Sequence, residues 1–98
     1  MSEPSEQELT EALGRPVYVE RMPTYRGWII GTHVRVGVLS DSVWCCVDED
    51  DMASTANIVR ALQLGVAGTI ADLESKALGE DDDARDARLD RALDALRA

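Results

Sequence analysis

Trp28-Ile29-Ile30-Gly31-Thr32-His33-Val34-Arg35-Val36-Gly37-Val38-Leu39 reads with a period of two. Side chains on a strand alternate between its faces. Trp28, Ile30, Thr32, Val34, Val36 and Val38 therefore share one side, an apolar set suited to a core. Ile29, Gly31, His33, Arg35, Gly37 and Leu39 share the other, where most residues are small or polar. One apolar and one half-polar face is the signature of an antiparallel sheet packed on one side. Gly31 and Gly37 mark a bulge, a bend or a close approach on the half-polar side.

The neighbouring stretches supply the rest of the sheet. Val17-Tyr18-Val19-Glu20-Arg21 alternates with both valines on one face, and Pro23 ends it within a loop from Met22 to Gly27. After Leu39, Ser40-Asp41-Ser42 reads as a tight turn. Val43-Trp44-Cys45-Cys46-Val47 then returns with Val43, Cys45 and Val47 inward. The expectation is a three-stranded antiparallel meander over residues 17–47. The register that keeps its apolar faces together sets Arg35 opposite Cys46, Val34 opposite Val47 and His33 opposite Asp48.

Helices flank this sheet. Residues 1–4 read as a frayed lead. Ser5 caps a short helix over 5–14, with Glu8 at the capping-box position and Gly14 and Pro16 as the stop. Glu6 and Glu8 suit its dipole. A long helix runs from residue 52 or 55 to Leu78, capped by Asp50, Asp51 or Ser54. Its stripe of Ile58, Leu62, Val66, Ile70, Leu73 and Ala77 is widened by Val59, Leu64, Ala67 and Ala71. A helix apolar over more than half its surface needs a second covering besides the sheet. Gly65 and Gly68 allow close contact there, or a break near Gly65. Gly79 ends it, and Asp82 or Asp83 caps an amphipathic helix over 82–97 with a narrow stripe of Leu89, Ala92, Leu93 and Leu96. Asp81–Arg85, Asp82–Arg85 and Asp94–Arg97 fall at ion-pair spacings. The reading is one α+β domain spanning 1–98: a short helix, a small meander, a long helix and a C-terminal helix.

Charge narrows the choice of partner. Nineteen acids stand against ten basic residues, for a net charge of −9. The acids gather at Glu3 to Glu11, at Asp48-Glu49-Asp50-Asp51 and from Glu80 onward. Such a field disfavours nucleic-acid backbones and anionic membranes and favours a protein with a basic patch. Nine of the ten basic residues are arginine, as GC-rich coding favours in a bacterium or its phage. A high-salt habitat is the other fit. Cys45 and Cys46 point to opposite faces, so they read as free thiols. The start Met1-Ser2-Glu3-Pro4 is acidic and polar, and no stretch approaches the ~18 apolar residues of a membrane span. Both features predict a cytoplasmic protein.

Chemical motifs are lacking. With one histidine and no paired-cysteine or calcium-loop spacing, no metal site is expected. His33 and Cys46 share a strand face without a supporting nucleophile motif. No glycine spacing fits a phosphate or dinucleotide loop. The expectation is a protein with no catalytic residue, cofactor or metal. Tyr18, His33, Arg35 and Trp44 would form a partner-binding sheet face, extended by the loop Asp48, Glu49, Asp50 and Asp51. If the first or last helix covers that face, Trp44 is simply core. The function expected is a protein-binding module: an adaptor, inhibitor or chaperone-like accessory. One alternative is a structural subunit, of a phage or other assembly, that forms a homodimer through the long helix. The other is an acidic inhibitor that competes with nucleic acid for a basic channel.

Overall fold

The computed structural model describes residues 3–50 and 54–97. Its elements are α1 (Glu6–Leu13), β1 (Val17–Arg21), β2 (Gly27–Val36), β3 (Leu39–Asp48), α2 (Thr55–Leu78) and α3 (Asp82–Arg97). The class is α+β, and the sheet is an antiparallel meander in the order β1-β2-β3. Strand alternation sorts the residues as expected. Val17, Val19, Trp28, Ile30, Val34 and Val47 are buried. Thr32 lies among them with no exposed surface, and its hydroxyl donates to the Pro16 carbonyl at 2.8 Å. That bond satisfies a polar group which would otherwise destabilise the core.

The β2–β3 turn differs from the expectation. It is the two-residue loop Gly37–Val38, and Ser40, Asp41 and Ser42 belong to β3. Gly37 has φ 61, and no non-glycine residue among those described has a positive φ. This is the pattern of a type II′ hairpin, which needs glycine first. Val38, expected inside, is 92% exposed at the tip. The register follows from the turn: Arg35 opposes Ser40, His33 opposes Ser42, Gly31 opposes Trp44 and Ile29 opposes Cys46. Arg35 is therefore not opposite Cys46, nor His33 opposite Asp48. Each partner moves by six positions, an even shift, so every paired side chain keeps its face.

All the helices lie on the apolar side. α1 runs along β1, with Leu9 buried beneath it. α2 crosses β2 and β3 without a break at Gly65. A Cβ at Gly65 would stand 2.5 Å from Val43 Cγ1, so the missing side chain lets the helix sit down on β3. Ser54 caps α2, its Oγ accepting from the Asn57 N–H at 3.2 Å. Asp50 does not take that place; Asp51, Met52 and Ala53 lie outside the described residues. α3 packs on α2 alone, antiparallel to it, and none of its side chains is fully buried. Its cap is Asp81 instead of Asp82 or Asp83, with Oδ1 accepting from the Ala84 N–H at 2.9 Å. The second covering that α2 requires is thus supplied by α3 of the same chain.

Candidate functional site

With α1, α2 and α3 all placed behind it, the other side of the sheet carries no helix among the described residues. Tyr18, Gly31 and Trp44 form one row across the three strands, because Tyr18 opposes Gly31 and Gly31 opposes Trp44. The Tyr18 ring lies over Gly31: a Cβ there would meet Tyr18 Oη at 2.5 Å. His33 flanks the ring with centroids 5.4 Å apart, and its Nδ1 lies 3.2 Å from Ser42 Oγ. Arg35 sits one step nearer the turn, where its Nε donates to the Gly37 carbonyl at 3.0 Å. Trp44 is 60% exposed, whereas Trp28 on the inner face is 3% exposed. Trp44 is therefore a surface residue, not core.

The acidic residues lie toward one end of the sheet. Asp48 opposes Gly27 and Arg35 opposes Ser40, so they mark opposite ends of the hairpin. At roughly 3.3 Å per residue, they are separated by about 26 Å. Tyr18, His33, Arg35 and Trp44 share the face with Asp48, which stands at its far end next to Glu49 and Asp50; Asp51 falls outside the described residues.

Two of these acids have partners at the β1–β2 end of the sheet. Tyr25 donates its hydroxyl to Asp48 Oδ2 at 2.6 Å, and the Asp50 N–H donates to Asp48 Oδ1 at 2.8 Å. The Tyr25 hydroxyl, and then the Asp50 amide, hold the Asp48 carboxyl below the usual range. Asp48 in turn pushes the Tyr25 phenol up. Glu49 pairs with Arg21 at 2.8 Å, and the Arg21 guanidinium lies 4.9 Å from the centroid of the Trp28 ring. These contacts fasten the β1–β2 loop to the end of β3. Sequence spacing could not pair Tyr25 with Asp48, because the two are joined only by the fold.

The thiols separate by face, as expected. Cys45 points to the helix side, where burial, and then its neighbour Cys46, push its thiol up. Cys46 is exposed opposite Ile29, away from the His33–Ser42 pair. His33 and Cys46 do not form a couple. Among the described residues no group of three His, Cys, Asp or Glu side chains is placed to hold a metal ion. No helix among them is long and apolar enough to cross a membrane.

Comparison with protein-family models, curated proteins and solved structures found no match.

Proposed function

We propose that the chain acts by binding another protein through the open face of its sheet, as an adaptor, inhibitor or accessory subunit, and not by catalysis. The uncovered row of Tyr18, Gly31 and Trp44, flanked by His33 and Arg35, carries this reading. Tryptophan, tyrosine and arginine gather at binding hot spots because they bury large areas with few degrees of freedom. A strongly acidic chain that shows an indole to solvent selects partners of basic character. The competitor reading is less well supported, because Tyr25 and Arg21 engage Asp48 and Glu49, and Arg85 and Arg88 answer acids around α3.

Photo-crosslinking in the source organism tests the proposal. Trp44→p-benzoylphenylalanine is expected to give a discrete protein adduct that Asp90→p-benzoylphenylalanine on α3 does not. Its yield should fall as salt rises. Equal labelling from both positions, or an adduct to nucleic acid alone, would overturn it.

A further inference from the structure

The two edges of the sheet differ. On β1 the first two outward amides are closed by α1. The Val17 N–H donates to Thr10 Oγ1 at 3.0 Å, and the Val19 N–H donates to Glu6 Oε2 at 2.7 Å. On β3 the outward amides belong to the even-numbered residues. Two-residue hairpins close on a hydrogen-bonded pair, here Val36 and Leu39, and the same alternation brings the Glu49 N–H to the Arg26 carbonyl at 2.8 Å. The Ser42 N–H is taken by Asp41 Oδ1 at 2.8 Å. The Trp44 and Cys46 N–H groups bond no described residue. Proteins normally blunt such an edge, since it templates pairing with another chain. Here the first two outward amides of β1 and the Ser42 amide of β3 are taken, and the stretch around Trp44 is left bare.

We infer that β3 accepts an added strand along Trp44–Cys46, and that this strand comes from a protein partner alternating basic with apolar residues. The inference rests on the proposed use of the open face, and it specifies the mode of binding. An added strand has two sides. On the open side its residues stand beside Trp44, where a guanidinium can stack on the indole. On the helix side they stand beside Cys45, which is half-buried and apolar in character. Charge selects the sign. Between Arg35 and Arg60 there is no lysine or arginine, while Asp41, Asp48, Glu49, Asp50 and Asp51 all fall within that interval. A second copy would bring the same acidic strand and a further charge of −9 to the edge. A basic strand meets no such repulsion.

The test uses the isotope-labelled full chain and a synthetic peptide the length of β3 that alternates arginine with valine. At saturation the Trp44 and Cys46 amides are expected to exchange about tenfold more slowly, while the inward Cys45 and Val47 amides stay unchanged. The same peptide with glutamate for arginine should protect neither. Cys46→Pro removes one outward donor, a change that edge strands tolerate, and should abolish protection at Trp44. If that variant does not fold, the exchange comparison in the unmodified chain still decides. A shift of the Trp44 indole without amide protection would overturn strand addition while leaving the open-face proposal intact. Protection that grows with protein concentration alone, with a doubled mass, would make the occupant a second copy and overturn the basic partner. No protection with the arginine peptide would overturn the inference, and crosslinking at position 44 would still report on the face independently.

Discussion

Trp44 and Trp28 separate binding from stability within one chain. Trp28 is buried among the inner-face residues, and Trp28→Ala should cost about 3–5 kcal/mol by urea unfolding. Trp44→Ala removes an exposed ring and should shift stability by less than about 0.5 kcal/mol. A large loss from Trp44→Ala would mean that the ring supports the sheet, and would weaken its assignment to a partner. Gly37 carries a different load. At φ 61 a Cβ is strained, so Gly37→Ala should destabilise by about 1–2 kcal/mol although nothing crowds the position. The alternation of residues 28–39 conceals this turn, because Val38 continues the apolar set and Gly37 reads equally as a bulge, a bend or a close approach. Gly37-Val38 as a Gly-X pair between β-branched runs was the available signal.

At the scale of elements, strand faces and strand order were legible and the residue register between β2 and β3 was not. Alternation is a property of one strand, so Val17, Trp28, Ile30, Val43 and Val47 could be set inward from sequence. Partners depend on where the chain turns, and moving the turn reassigned every pair while leaving the faces intact. Tyr18, His33, Arg35 and Trp44 were thus found on the correct face, with the wrong neighbours. The helix caps were partly legible: Ser5 and Ser54 are used, while several nearby acids competed for the α3 cap. The role of Glu6 was hidden, because a first-turn acid already satisfies the helix dipole. Its carboxylate closes the β1 edge, so Glu6→Ala should speed exchange of the Val19 amide and cost about 1 kcal/mol. An unchanged Val19 exchange rate would refute that role. Gly65 makes a companion prediction. Gly65→Ala meets Val43 and should cost about 1–3 kcal/mol, and most of the cost should disappear in a Val43→Ala background.

Over the whole molecule, the charge of −9 is not a uniform field but a set of acids, several already in use. The clearest case is the joint between α2 and α3. α3 touches α2 alone and buries no side chain fully, so polar contacts at the turn add to its half-buried stripe of Leu89, Ala92, Leu93 and Leu96. Glu80 is the centre of those polar contacts. Arg88 donates to both of its oxygens, at 2.8 and 3.1 Å, and the buried Ser75 hydroxyl donates to Oε1 at 2.9 Å. Arg88 also reaches Glu74 at 3.5 Å. Arg88, and then Ser75, hold the Glu80 carboxyl below its ordinary range, while Glu80 raises the Arg88 guanidinium. A carboxyl depressed in the folded state binds fewer protons there than in the unfolded chain. Its stabilisation is therefore complete above the ordinary glutamate value of about 4.3 and is lost as pH falls through the folded value. Glu80→Gln removes the charge while keeping the shape. It should lower the melting midpoint at neutral pH, and the gap from the unmodified chain should narrow as pH falls through the carboxylate range. Amides of α3 should lose protection before those of β2, since α3 has the fewest buried contacts to hold it. A gap that stays constant from neutral to acid pH would show that Glu80 acts through its shape alone, and that the α2–α3 joint does not depend on its charge.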